Sequence, residues 1–233
     1  MITTVGDLLD YSRQELNDIQ FDGLDTYSFW KDDEIIEYIN NAQQEFSQYT
    51  KCLPNYTDFD ISIVAGTRSY TFSESILEIF GAYLETSKRR VDADSFSNIQ
   101  KRYILNNEEI TRRGNWEYEV GTPRFIITDM ELDKLVLYPI PVQAETLSLY
   151  VYKIADSVSA VDVEDYNDIN LEIPEQHRNG LIFRIMSLAY NKLDSGLKDA
   201  NQELVYSQKW DSFKKDAKLF YDTRFNRLLP GVK

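Results

Sequence analysis

A chain of 233 residues is long enough for one large domain or two small ones, and its 12 Phe, 16 Tyr and 3 Trp supply large side chains for a core. Its 39 acidic and 25 basic residues leave a net charge of −14, which argues against a sequence-reading or packaging DNA-binding protein because the chain repels a polyanion. The single cysteine, Cys52, excludes an intrachain disulfide and a thiolate metal cage.

The sequence also lacks the signals of a membrane or secreted protein. No apolar run approaches the roughly 20 residues of a membrane-spanning helix. The first residues, Met1 to Asp7, carry neither a basic region nor an apolar core, so we expect no signal peptide. We therefore expect a protein that has no membrane contact and is made in a cytoplasm-like compartment.

The first predicted helix covers residues 3–18. Thr4 and Asp7 have the spacing of a capping pair, in which each side chain bonds to the backbone N–H of the other residue. The stripe that would face the core comprises Val5, Leu8, Leu9, Ser12, Leu16 and Ile19. Such a stripe predicts a helix that buries one face.

A second predicted helix, which follows Trp30 and ends near Thr50, has the clearest amphipathic pattern in the chain. Apolar side chains recur every three or four positions, at Ile35, Ile39, Ala42, Phe46 and Tyr49. Lys31 or Asp32 begins the helix, and Glu34 has the spacing to reach back to a cap at Lys31. We expect the rest of the chain to pack against this helix.

The periodicity then changes to that of strands. Residues 59–64 and 70–72 alternate around Gly66, which predicts a β-hairpin. The other predicted elements are a strand over residues 76–86 with a bulge at Gly81, a helix over residues 94–104, and strands over residues 125–128, 134–138 and 146–152. Residues 156–172 contain six acidic residues and no Lys or Arg, and we interpret them as a solvated loop.

Two more helices are predicted at the C-terminal end. The third helix begins at Ile173-Pro174-Glu175, because proline is favoured in the first turn, and it ends at Ser195-Gly196. The last helix covers residues 197–226, and Pro230-Gly231 prevents it from continuing. Its apolar positions are Tyr206, Trp210, Phe213, Ala217, Phe220 and Tyr221.

These elements predict an α+β fold. A helix pair at each end of the chain has apolar stripes that the pair cannot bury alone, so the simplest arrangement packs all four helices into one bundle. We predict that residues 1–54 and 154–233 form a split four-helix bundle. Residues 55–153 would be an inserted antiparallel β module.

The sequence contains few residues with the pattern of a catalytic site. His177, the only histidine, has the position of a surface or cap residue, and no nucleophile elbow, phosphate loop or dinucleotide fingerprint is present. Carboxylate pairs such as Glu34 with Glu37, or Asp162 with Glu164, are expected by chance among 39 acidic residues. We therefore predict no catalytic, metal-binding or cofactor-binding residue, and no cofactor.

Four motifs, in order, resemble those of the head-to-tail adaptor proteins of tailed bacteriophages, the group that includes tail tubular protein A of short-tailed phages. The motifs are Thr4–Leu9 with Trp30–Gln43, Ala65–Tyr70, Gly121–Phe125 with Leu135–Pro141, and Ile173–Glu175. They extend over nearly the whole chain. Two departures are Lys31, where the family usually caps with a small polar residue, and residues 88–120, which match no family motif.

The resemblance implies a non-enzymatic structural protein in the neck of the virion, assembled in the host cytoplasm. Copies would form a ring, typically of twelve, that binds the portal protein on one side and a tail or nozzle protein on the other. The ring would extend the DNA ejection channel. The acidic composition agrees with this, because a channel lined by carboxylates does not bind the DNA that passes through it.

The end of the chain holds the predicted partner-binding residues: Arg224, Phe225, Arg227, Leu228 and Leu229. They add two positive charges and three apolar side chains to an acidic protein, just before Pro230 and Gly231. By resemblance, we expect this segment to dock on the portal. The alternative is that residues 224–233 fray.

Two rival functions come from other classes. A carbohydrate- or receptor-binding β module of a tail protein could use the rings of Tyr83, Tyr118, Tyr138, Tyr150 and Tyr152. A hydrolase built on the acidic pairs is the weaker rival. The small basic clusters Lys88–Arg90 and Arg112–Arg113 are interpreted as loop solvation or as contacts between subunits.

Overall fold

The computed structural model of the protein describes residues 2–17, 30–106, 118–159, 166–192 and 199–226, with only the backbone for residues 102–106, 225 and 226. The fold is α+β, as the sequence predicts. The chain divides into two compact units, Met1–Leu53 with Ile154–Lys233, and Pro54–Lys153. We call the first the helical unit and the second the β unit.

Helix α1, Val5–Glu15, begins at the predicted capping pair. The Thr4 hydroxyl accepts a hydrogen bond from the Asp7 N–H at 3.0 Å, and the Asp7 carboxylate accepts one from the Thr4 N–H, also at 3.0 Å. The Thr3 hydroxyl and N–H donate to the same carboxylate, and these hydrogen bonds hold the pKa of Asp7 well below its usual range. The predicted cap is therefore confirmed.

Helix α2, Asp32–Thr50, is a core helix, as its pattern predicts. The predicted stripe residues Ile35, Ile39, Ala42 and Phe46 are fully buried. Tyr49, the last residue of the predicted stripe, is instead 37% exposed. Its ring lies beneath the ammonium groups of Lys214 and Lys218, at 5.4 and 5.2 Å. Thr50 is buried in its place.

Of the two residues predicted to begin α2, Lys31 is the observed cap, but Glu34 has other partners than the predicted one. Lys31 is the N-cap residue, but its side chain makes no capping hydrogen bond. The Glu34 carboxylate accepts hydrogen bonds from Tyr38 Oη at 2.8 Å and from Lys192 Nζ at 2.6 Å. An ammonium group is a stronger partner for a carboxylate than a backbone N–H, so Glu34 links α2 to a distant segment of the chain.

The single helix predicted after Pro174 is two helices, α4 at Glu175–Arg178 and α5 at Leu181–Tyr190. The Gly180 N–H donates to the carbonyl oxygen of His177 at 3.1 Å, a three-residue spacing that interrupts the α-helical pattern. Only glycine fits at this position, because a Cβ atom would lie 2.2 Å from the ring of Phe213. Phe213 belongs to the last helix, α6, Ala200–Asn226.

The helices of the helical unit share one hydrophobic core. Helix α2 packs against α1, α5 and α6, and α5 packs against α6. The segment before α4 contributes as well, because Leu171 and Ile173 are buried and Asn170 forms a β-bridge with Thr4. The interpretation of 156–172 as a solvated loop is therefore wrong for its C-terminal part, and residues 160–165 lie outside the described residues.

The described residues of the β unit form ten strands and one helix, α3, at Phe96–Asn106. The strands are β1 Pro54–Asn55, β2 Asp60–Ile63, β3 Ser69–Thr71, β4 Ile76–Leu84, β5 Arg89–Asp94, β6 Val120–Gly121, β7 Phe125–Ile127, β8 Lys134–Tyr138, β9 Ile140–Pro141 and β10 Glu145–Lys153. Eight of them form one curled sheet in the order β1-β10-β4-β5-β7-β8-β3, in which β2 also pairs with β10. Strands β6 and β9 pair separately.

The predicted hairpin of residues 59–72 is wrong. A turn with Gly66 at φ 79° does form, but β2 pairs with β10 whereas β3 pairs with β8. The turn therefore connects two different edges of the sheet, and the Tyr70 hydroxyl bridges them by accepting from the Val64 N–H at 2.9 Å. This connection curls the sheet around an apolar interior.

The sheet is mixed, not antiparallel as predicted. Strands β5 and β7 pair in parallel, as do β6 and β9. Parallel neighbours need a crossover connection, and α3 lies in the connection between β5 and β7. The bulge predicted at Gly81 is confirmed, because Tyr150 pairs with Gly81 and Val151 with Ile79, which leaves Phe80 as the extra residue.

Candidate partner-binding surface

The predicted partner-binding residues begin at the C-terminal end of α6. Arg224 is exposed, and its guanidinium carbon lies 5.9 Å from the centroid of the Phe220 ring. Phe220 is 41% exposed and Leu219 is 67% exposed. The side chain of Phe225 and all of Arg227, Leu228 and Leu229 lie outside the described residues. Of the predicted set, the structure therefore locates only Arg224, beside an exposed apolar end of the helix.

Helix α6 also carries apolar side chains away from its buried face. Trp210, Ala217 and Tyr221 point into the core. Leu204 and Val205 are 54% and 43% exposed, and they lie on the same side of the helix as Leu219 because 15 residues make about four turns. We define the outer face of α6 as Leu204, Val205 and Leu219 together with the exposed Asp211, Lys215 and Asp222 on the same side.

The outer face of α6 was not predicted from the sequence, although a signal was present. The predicted stripe accounts for the aromatic residues and Ala217, but Leu204, Val205 and Leu219 fall outside it. An apolar residue off the stripe is unremarkable when single, whereas a set that aligns along one side indicates a contact surface. The signal is the alignment of the apolar positions that do not belong to the core stripe.

The C-terminal region differs from the rest of the chain in charge. Residues 200–233 hold seven basic and four acidic residues, a net charge of +3 in a chain of −14. Some of these cations have partners in the chain, since Lys214 pairs with Glu45 and Lys218 Nζ donates to the Tyr49 carbonyl oxygen at 3.2 Å. Lys215 is exposed and has no ion-pair partner within the described ranges. It can therefore meet an external carboxylate.

A charged network connects α2, α5 and α6. Glu45 of α2 accepts hydrogen bonds from Lys214 Nζ at 2.5 Å and from Trp210 Nε1 at 2.9 Å, both on α6, and its other oxygen lies 2.8 Å from Arg184 Nε of α5. Burial alone would raise the pKa of the Glu45 carboxyl. The hydrogen bonds from Lys214 and Trp210 and the two positive charges outweigh it and lower that pKa.

His177 lies in an aromatic cluster and is half-buried, so its prediction as a plain surface or cap residue is wrong. Its ring centroid lies 5.5 Å from that of Phe46, 5.9 Å from Phe213, 5.8 Å from Phe220 and 5.3 Å from Tyr221. Burial lowers the pKa of His177, which favours the neutral imidazole. His177 therefore packs the α4 corner against the end of α6.

Of the two acidic pairs, the structure describes Glu34 with Glu37. Glu34 is bonded to Tyr38 and Lys192, whereas Glu37, three residues further along α2, is exposed. Asp162 and Glu164 lie outside the described residues. In the part of the chain that the structure describes, no three His, Cys, Asp or Glu side chains come together in a way that could hold a metal ion.

The five tyrosines of the proposed carbohydrate site are not gathered together. Tyr150 and Tyr152 belong to a surface cluster in which Phe80 contacts both rings, at centroid distances of 6.3 and 4.9 Å. Tyr138 instead stacks on Phe125. Tyr83 lies 5.8 Å beneath the Lys88 ammonium and Tyr118 is 74% exposed. Tyr56 completes this group of rings, which we call the Phe80 cluster. The sequence did not predict the cluster, because the bulge determines on which side of the sheet Phe80 lies.

The basic cluster at Lys88–Arg90 forms the end of the hairpin between β4 and β5. Lys88 pairs with Glu85 at 3.2 Å, and Arg90 pairs with Asp92 at 3.0 Å. These exposed pairs fit the interpretation as loop solvation. The second cluster, Arg112–Arg113, lies outside the described residues.

Comparison with known proteins identifies one family. The family model described as SU10 adaptor protein matches residues 3–227. No curated protein matches the chain significantly. Among the described helices, none is both long enough and apolar enough to cross a membrane.

Proposed function

The chain belongs to the SU10 adaptor protein family, a family of phage head-tail adaptors, and we propose that copies of it form the ring that bridges the portal and the tail. The observation that carries this proposal is the extent of the match, residues 3–227. It includes both segments of the helical unit and the whole of the β unit. A match of this extent relates both units of the chain to the family, whereas a single shared motif would relate only a short segment.

The charge of the chain supports the proposed DNA channel. A ring made of copies with a net charge of −14 each offers DNA no electrostatic attraction, so DNA would pass through without specific binding. The role we propose is structural and non-enzymatic. It requires stable contacts with the portal, the tail or nozzle protein and neighbouring copies, inside the virion after assembly in the host cytoplasm.

We propose that the two units are separate domains with different roles. Helices α1, α2, α5 and α6 would form one four-helix bundle, and residues 55–153 would be an inserted module. The shared core of these helices and the charged contacts of Glu45 with α5 and α6 support this arrangement. A bundle of this kind can pack beside its neighbours in a ring, typically of twelve copies, while the module contacts an adjacent ring.

The C-terminal segment is the part that we propose to bind the portal. Its residues are Arg224, Phe225, Arg227, Leu228 and Leu229. The exposure of Leu219, Phe220 and Arg224 supports this, because the apolar surface is already open where α6 leads into the segment. Burial of the apolar side chains would provide affinity, and the arginines would meet acidic groups of the portal.

Deletion of residues 224–233 tests this proposal. We expect the truncated chain to keep its melting midpoint, because Arg224 packs only at the surface, and to lose co-sedimentation with portal rings. The control is Lys101→Ala together with Lys134→Ala, which removes two exposed cations from the β unit. Unaltered co-sedimentation of the truncated chain would show that this segment is not the portal interface. Failure of the full-length chain to bind the portal at all would contradict the adaptor function.

A further inference from the structure

We propose that an apolar patch at one end of the β unit docks on the tail or nozzle protein. We call it the distal patch, and its exposed side chains are Val64, Tyr118, Val120 and Val142. This inference rests on the proposed adaptor ring, and it assigns both the surface and the kind of contact on the tail side. The C-terminal segment, which we propose for the portal, takes no part in it.

Backbone hydrogen bonds bring the members of the distal patch to one place. The Gly66 N–H donates to the Pro141 carbonyl oxygen at 2.8 Å, and the Ile140 N–H donates to the Glu119 carbonyl oxygen, also at 2.8 Å. Each residue of the patch is at most two positions from a residue that makes one of these bonds. The four residues therefore lie close together on the surface of the β unit.

The distal patch lies at the end of the β unit where the chain neither enters nor leaves it. The chain leaves at Lys153, the last residue of β10, and it enters at Pro54, which pairs with Tyr152. Val142 comes three positions before Glu145, the first residue of β10. At roughly 3.3 Å per residue, the length of β10 separates the two ends by about 25 Å. A ring held together by its helical units can therefore present this end to another ring.

The distal patch is apolar and nearly free of charge. Among the described residues of the β unit, six large apolar side chains are exposed, and all but Tyr56 and Leu132 belong to the patch. In the whole chain 27% of the residues are charged, but only Glu119 is charged in the three segments that carry the patch. These segments are 64–67, 118–121 and 140–144. The carboxylate of Glu119 is already engaged, because it accepts a hydrogen bond from the Tyr138 hydroxyl.

The charges around the distal patch give it no net preference for one sign. Lys88 pairs with Glu85, and Arg90 pairs with Asp92. The exposed charges that have no ion-pair partner within the described ranges include both signs, with Arg89 and Arg124 against Asp60. A surface of this kind is stabilised by burial against another apolar surface and gains little from salt bridges.

The proposed ring favours a different protein as the occupant. If the patch packed on the same patch of a second copy, the contact would be two-fold, and it would end at a dimer instead of continuing around a ring. The portal contact is proposed to use arginines, which need acidic groups in return. The tail or nozzle protein is the other neighbour of the ring, and we expect it to present an apolar surface to the patch.

Substitution of the exposed valines tests this contact. Val64→Asp and Val142→Asp are made separately, assembled on portal rings and sedimented with the purified tail or nozzle protein of the same phage. We expect each change to weaken binding of that protein about tenfold or more, because a charge enters an apolar contact. Binding by the wild-type chain should change little between about 0.1 and 1 M salt. The controls are Val205→Asp on α6 and Leu132→Asp between β7 and β8, which also replace exposed apolar side chains.

The outcomes separate this inference from the proposed function. Unchanged binding of the tail or nozzle protein by both valine variants, or binding that added salt abolishes, overturns the inference and leaves the adaptor function standing. Variants that lose the portal instead, or wild-type dimers that Val142→Asp dissociates, give the patch to another occupant and also overturn it. If wild-type copies on portal rings do not bind the tail or nozzle protein at all, the bridging function is wrong as well. We expect equal melting midpoints for all variants, since the replaced side chains are exposed.

Discussion

Replacement of Glu45 by glutamine is the sharpest test of how the helical unit is held together. Glu45→Gln keeps the size of the side chain but removes the charge that faces Lys214 and Arg184. Both cations would then remain near each other in a partly buried site, and the exposed Asp211, 3.3 Å from Lys214 Nζ, would be the counter-charge left to Lys214. The lost contacts join α2 to α5 and to α6, so the change affects the packing of all three helices.

The magnitude follows from the burial of the three groups. Removal of one partner from a fully buried ion pair costs about 3–5 kcal/mol. Here the side chains of Glu45, Arg184 and Lys214 are 32%, 29% and 12% exposed, so solvent screens part of the interaction. We therefore expect Glu45→Gln to lower the free energy of unfolding by about 1–3 kcal/mol. In a chain of this size that corresponds to a decrease in the melting midpoint of about 2–4 °C per kcal/mol.

The assay is urea unfolding followed by tryptophan fluorescence, because Trp30 and Trp210 are buried in the helical unit. The control is Glu74→Gln, which removes an exposed carboxylate from the β unit. Folding lowers the pKa of the Glu45 carboxyl. The stabilisation of the folded state by Glu45 is therefore complete above the pKa of the unfolded state, and it is lost as the pH falls through the pKa of the folded state. The difference between wild type and Glu45→Gln should thus be full at pH 7 and shrink in acid. Equal stabilities of Glu45→Gln and Glu74→Gln at pH 7 would refute this reasoning.

Four further predictions follow from the same structure. Ile39→Asp should unfold the helical unit or leave the chain insoluble, because it puts a charge in a fully buried position, and an unchanged melting midpoint would contradict this. Gly180→Ala should lower the free energy of unfolding by about 1–3 kcal/mol through overpacking, whereas Gly121→Ala, where a Cβ meets only ordinary contacts, should not. The purified chain should show no duplex DNA binding near physiological salt in a filter assay, and tight, salt-sensitive binding would refute the channel. Residues 54–153 produced alone should give a cooperative thermal transition, and their failure to fold would show that the β unit is not an independent module.

The helices were predictable because the information that specifies them is local. The spacing of Ile35, Ile39 and Phe46 within one segment predicts α2 without reference to the rest of the chain. The Thr4–Asp7 cap is equally local, and the structure confirms it. The order of helices and strands, and with it the α+β class, follows from such segments.

Features that depend on distant residues were not predictable in this way. Strands β2 and β3 are close in sequence, yet each pairs with a strand more than 60 residues away, which periodicity does not reveal. The interruption at Gly180 depends on Phe213, and Glu45 meets Trp210 across 165 residues. The outer face of α6 became visible only when burial separated Leu204 and Leu219 from the core stripe.

Electron microscopy of the purified chain mixed with portal rings tests the central claim most directly. We predict a second ring stacked coaxially on the portal, with one copy of this chain for each portal subunit. An open channel should run through both rings. Particles that contain the portal alone, or copies of this chain bound as scattered monomers without a closed ring, would contradict the account.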